Sequence, residues 1–133
     1  MTLVFSFIST VVACTAALAV HASGLWVAIG AHPNWSQSVT IIGSLIGISI
    51  FFSIRYATSK FPNSLKSVVF ALVAAVILTF GMTTLGKREF VASYAENDLA
   101  GLFWFYGFIG FVTSLIAATA VGVGWALGKL KTK

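Results

Sequence analysis

The sequence predicts an all-α protein, an integral-membrane four-helix transmembrane bundle with short loops, built as one domain over residues 1–133. Three observations predict it. Only 8% of the residues are charged, whereas a soluble domain carries about 25% to cover its surface. Mean hydropathy is +1.00, and the apolar residues gather into four runs separated by short polar stretches. The Lys and Arg residues are confined to the ends of those runs. A hydrocarbon core about 30 Å thick takes roughly 20 apolar residues as helix. The chain therefore holds four crossings, expected near residues 3–29, 39–57, 65–85 and 99–127, and leaves no length for a sizeable soluble domain.

The first run, residues 1–30, contains no Asp, Glu, Lys or Arg. A signal peptide would need a basic start, and this run stays apolar through Leu25 to Ile29, so it reads as a transmembrane helix. Val11-Val12-Ala13-Cys14 resembles a lipoprotein cleavage box, but the same missing basic start argues against it. The following GAHPNWSQS turn is broken by Pro33 and Asn34 and places Trp35 where an interfacial aromatic belongs. Asn34-Trp35-Ser36 matches a glycosylation acceptor pattern of low specificity.

The second helix carries Gly43 and Gly47, a GxxxG whose glycines share one helix face and let a neighbouring backbone approach. It ends in RYATSKFPNSLK, where Arg55, Lys60 and Lys66 flank the Pro62-Asn63-Ser64 turn. Asn63 or Ser64 is the expected N-cap of the third helix. The centre of that helix, residues 68–80, has Thr79 as its only polar residue and is suited to packing or lipid.

GKREFVASYAEND, residues 86–98, holds all three acids, Glu89, Glu96 and Asp98, beside Lys87 and Arg88. Phe90, Val91 and Tyr94 fall at helical spacing, which predicts a short amphipathic piece on the membrane surface. Asn97 or Asp98 is placed to cap the fourth helix. Its first half is dense in aromatics, including Trp104, Phe105 and Phe108. Its second half is dense in small residues, with Ala120, Gly124 and Gly128 four apart as a second packing face. Lys129, Lys131 and Lys133 close the chain.

The positive charges fix an expected orientation. The loop containing Arg55, Lys60 and Lys66 and the tail containing Lys129, Lys131 and Lys133 carry three cations each, against two on the opposite side. Both termini are therefore expected in the cytoplasm, in a plasma membrane of the bacterial inner-membrane kind. The six cations would meet anionic lipid headgroups. Trp26, Trp35, Tyr94 and Trp104 are expected as one interfacial belt, and Tyr56 and Trp125 as the other.

The net charge of +5 does not imply nucleic acid, because the cations form no basic stripe with interleaved aromatics. Cys14 is the single cysteine, so no intrachain disulfide forms. No carboxylate lies within an apolar run, which argues against an ion-coupled transporter built on a buried acid. No catalytic triad, CxxC, HExxH or phosphate loop occurs, and no motif requires a cofactor. His21 is the one titratable imidazole in a helix core region and the candidate cofactor-binding residue, as haem ligand, proton relay or quinone donor. Against that, a bis-His haem needs a second buried imidazole, and His32 lies in a loop. Cys14 is about 10 Å from His21 along the axis, too far to share a metal.

These features predict a non-catalytic subunit or accessory of a membrane protein assembly, acting through helix contacts with copies of itself or other integral-membrane proteins. A small channel or transporter is the alternative, with a path lined by hydroxyls such as Ser44, Ser49, Ser53 and Thr119 and gated by His21. A haem- or quinone-binding subunit and a membrane immunity or exclusion protein share the same composition.

Overall fold

The computed structural model describes residues 2–132. The described residues form helices and connecting turns, and four of the helices are long and apolar enough to cross a bilayer, as a multi-pass membrane protein requires. The elements are α1 (Leu3–Ala22), α2 (Leu25–Ile29), α3 (Ser36–Lys60), a 3₁₀ turn (Pro62–Ser64), α4 (Leu65–Ala92) and α5 (Asp98–Lys131).

The expected first helix over 3–29 is divided. Gly24 takes φ +75°, a left-handed conformation open to glycine, and separates α1 from α2. Apolar character runs unbroken through both pieces, so hydropathy cannot register the bend. The bend turns Trp26 inward, where it stands edge-on to Phe108 and Phe111 at 5.9 and 6.3 Å between ring centroids.

α3 begins three residues earlier and ends three later than the expected 39–57. It stops at Phe61, which the following Pro62 pushes out of the helical region to φ −128°. Ser64 stands at the N-cap of α4 without a side-chain capping bond; its hydroxyl donates to the Phe61 carbonyl instead.

α4 overruns its expected end at 85 and takes in Gly86 to Ala92. The amphipathic piece expected on the membrane surface is thus the last two turns of α4. Gly86 does not end the helix because it serves as a contact point. A Cβ there would overlap the Trp104 amide nitrogen and lie 2.8 Å from the Ala100 carbonyl oxygen. Phe90 follows one turn later and covers Gly101 and the Trp104 ring. α5 starts under the Asn97 cap, whose side-chain oxygen accepts from the Ala100 amide at 3.1 Å. Asp98 in its first turn complements the helix dipole.

α5 is the axis of the molecule. Half of its most apolar window is buried, against 6% of that of α4. α3 runs parallel to α5 and α4 antiparallel, on different faces, while α1 leans on both α5 and α3. Glycines bring the axes together. A Cβ on Gly43 would lie 2.9 Å from Val112 Cβ, and one on Gly47 would lie 2.9 Å from the Thr113 carbonyl. On the other side, Gly107 abuts the Thr83 backbone and Gly110 the Thr79 methyl. Within the second small-residue face, Ala120 and Gly124 are buried. Gly128 faces open space, so that face stops one turn short of its expected end.

The hydroxyls expected to line a path are mostly satisfied within their own helices. Ser44, Ser49, Ser53, Thr79, Ser114 and Thr119 each donate to a carbonyl four residues back. Thr83 and Thr113 are the exceptions: the Thr113 hydroxyl is buried without a hydrogen-bond partner among the described residues, and the buried Thr83 hydroxyl crosses to the Trp104 carbonyl at 2.7 Å. Such interhelical bonds are worth about 0.6 kcal/mol in a bilayer, because the unfolded chain finds other partners there. Thr83→Val is therefore expected to lower stability by about that amount, read as a small shift in denaturation by a harsh detergent. A loss several times larger would mean that the hydroxyl holds more than one bond.

Candidate functional site

Two ends of the bundle carry polar chemistry. At the end holding residues 86–98, the aromatics expected as an interfacial belt turn inward. Trp26 and Trp104 are 5% and 7% exposed, while Tyr94, at 93%, is the one that remains on the surface. Trp104 donates its indole N–H to the Gly30 carbonyl at 2.8 Å. Its ring meets His32 at 5.6 Å and Trp35 at 5.5 Å, both edge-on. The Lys87 ammonium lies 5.7 Å from the same ring. The Arg88–Glu89 pair beside it, at 3.1 Å, is exposed on both sides and contributes little.

Helical spacing places Trp104, Phe108 and Phe111 on one face, which is the signal that they form a core. Trp26 Nε1 is buried in that core without a hydrogen-bond partner among the described residues. His32 is held in the loop, stacked on Trp35 and accepting from the Asn34 amide through Nδ1.

His21 lies half-buried in the last turn of α1. Ser9, Ala13 and Ala17, the series that leads to it, are buried against the neighbouring helices. His21 and His32 thus belong to different settings, one on a helix edge and one in an aromatic stack. Among the described residues no three His, Cys, Asp or Glu side chains gather to hold a metal ion.

The opposite end is basic. Arg55, Lys60, Lys66, Lys129 and Lys131 all lie there, and Glu89, Glu96 and Asp98 lie at the other end, between the last turns of α4 and the first turn of α5. Lys133 lies outside the described residues. Two of the lysines rest on aromatic faces: Lys60 Nζ is 4.6 Å from the Tyr56 ring centroid and Lys129 Nζ 3.8 Å from that of Trp125. Tyr56 and Trp125 are both exposed, as an interfacial pair should be.

Between α3, α4 and α5 this end opens into a wedge of about 400 Å³. α3 contributes Phe51, Ile54 and Arg55, the 3₁₀ turn Pro62, and α5 Gly124, Gly128 and Lys129. The wedge exists because α3 and α4 lean on different faces of α5 and approach each other chiefly at their connecting turn. The small residues of α5 leave it hollow at that level. Its walls are apolar and its rim is cationic. Sequence reasoning placed the cations at one end without seeing the hollow, which depends on how far the two helices splay.

Comparison with family models, curated proteins and solved structures finds no match to this chain.

Proposed function

We propose that the chain is a non-catalytic subunit of a membrane protein assembly that binds its partner through α4. One observation supports this above the others. α4 is a 28-residue helix whose long packing partner is α5 alone, and the rest of its apolar surface is unoccupied. Phe70, Ile77 and Leu78 are 77%, 65% and 71% exposed. Among them sits Gly81, where a Cβ would meet nothing within 4 Å. Four of the glycines that face neighbours inside the chain (Gly43, Gly47, Gly86, Gly107) lie against a neighbouring backbone, while Gly101 and Gly110 receive a side chain. Gly81 has the same chemistry on the open side, and another transmembrane helix is the partner such a notch accommodates. In this reading the termini and the Arg55–Lys66 connection face the cytoplasm, as the cation count requires.

The test is purification of the full chain in mild detergent, with mass spectrometry of what accompanies it. A second integral-membrane protein at reproducible stoichiometry, lost in Gly81→Leu while the chain stays folded, is the expected result. Recovery as a lone monomer from native membranes would overturn the reading. A homo-oligomer whose ion flux into liposomes is abolished by His21→Ala would replace it with the channel. A reporter fused after Lys133 tests orientation separately, and activity confined to the exterior would reverse it.

A further inference from the structure

We infer that the connection between α2 and α3 is an acid-released clasp, fastened by the neutral imidazole of His32. The inference stands on the geometry of this connection and is independent of the partner assigned to α4. In the orientation proposed above, the clasp faces the exterior.

His32 gathers the amides that lead into α3. Its carbonyl accepts from Trp35 at 3.3 Å and from Ser36 at 3.0 Å, and its Nδ1 accepts from Asn34 at 3.1 Å. Pro33 has no amide to offer, so every backbone N–H from 33 to 36 ends on this one residue. A side chain that precedes a proline and accepts the amide two positions on fixes the turn, much as a cap fixes the start of a helix. An imidazole does so only with Nδ1 unprotonated, which puts its proton on Nε2. The turn also holds the end of α2. Gly24, at φ +75°, leaves α2 hinged on α1. The Trp104 indole, whose ring meets His32 and Trp35, fastens the Gly30 carbonyl.

A proton on Nδ1 replaces the acceptor with a second donor, and the Asn34 amide is left facing an N–H. It also places a positive charge at the N-terminal end of α3, where the helix dipole is itself positive. The groups around His32 do not offset this. On α4, the Lys87 ammonium already occupies the Trp104 ring, 5.7 Å from its centroid. The Trp35 ring stands 6.2 Å from the imidazole, past the reach of about 6 Å for a cation–π contact. Of the acids at this end, Glu89 is held by Arg88, and among the described residues none of Glu89, Glu96 and Asp98 pairs with His32. An imidazole changes charge between about pH 5 and 8. The clasp is therefore closed at the alkaline end of that range and open at the acid end.

Amide hydrogen exchange of the full chain in nanodiscs, at about pH 8 and about pH 5, tests this when expressed as protection relative to the intrinsic rate at each pH. Protection of residues 34–36 is expected to fall about fivefold at the lower pH, with the interior of α3 unchanged. His32→Asn supplies an acceptor that does not titrate and that initiates a turn before proline, so it keeps the protection at both pH values. His32→Phe keeps a ring against Trp35 and Trp104 but has no acceptor, and its protection is low at both. Equal protection of the parent at the two pH values would overturn the proposal. So would an acid response that survives in His32→Asn, which would move the titrating group to His21 in the last turn of α1 or to a carboxylate. An equal loss in the interior of α3 would also overturn it, since the bundle as a whole would then be unfolding in acid. If His32→Phe fails to fold, the contrast between the parent and His32→Asn still decides.

Discussion

Gly86→Leu is expected to separate α4 from α5 and to lower stability by about 3 kcal/mol, the upper end of the range for overpacking. The position allows no local adjustment. The side chain would meet backbone atoms, the Trp104 amide, the Ala100 carbonyl and the Phe103 carbonyl carbon, and not the movable end of a neighbour's side chain. To make room the helices must part, and parting them breaks the Thr83–Trp104 hydrogen bond and lifts Gly107 from the Thr83 backbone. Gly81→Leu, five residues earlier on the open side, adds the same side chain where nothing lies within 4 Å and should stay within about 0.5 kcal/mol of the parent. Unfolding by a graded harsh detergent, followed by circular dichroism, measures both. Equal losses at the two positions would mean that leucine disfavours this helix in itself and that the contact with α5 is not the cause.

The same contrast shows how much the sequence can reveal. The four apolar runs, the basic end and the packing role of Gly43 and Gly47 follow from hydropathy, charge and residue size. Membrane helices hide the next level. Lipid and protein interior are both apolar, so a face covered by acyl chains reads like one covered by another helix. Nothing in the periodicity of α4 distinguishes Phe70, exposed, from Phe90, folded onto α5. Glycine was informative where two lay four apart and ambiguous where it stood alone. Gly24 bends the chain, Gly86 admits a neighbour, and single-residue chemistry does not separate them. The wedge was hidden for a different reason. It is the space left by the splay of α3 and α4, a property of three helices that no one segment encodes.

Tryptophan was the residue most open to two readings, and Trp104 is the place to test which holds. An indole is satisfied equally by headgroups at the interface or by a carbonyl inside the protein. Here the carbonyl is that of Gly30, in the turn that ends α2 and 74 positions away along the chain. Trp104 also receives the Thr83 hydroxyl on its own carbonyl and meets Trp35 with its ring. One residue thus ties α2, α4 and the start of α3 to the axis. Trp104→Ala should cost about 4 kcal/mol, as deletion of a buried indole does. Trp104→Phe keeps a ring but leaves the Gly30 carbonyl without its donor, for a loss of about 1–2 kcal/mol. Near-ultraviolet circular dichroism should fall in the alanine variant, because the aromatic stack loses its centre. Amide exchange should quicken first in residues 25–30, which Gly24 leaves hinged on α1. An interfacial tryptophan would behave otherwise: its replacement would shift neither the exchange of that segment nor the stability of the bundle by more than about 1 kcal/mol.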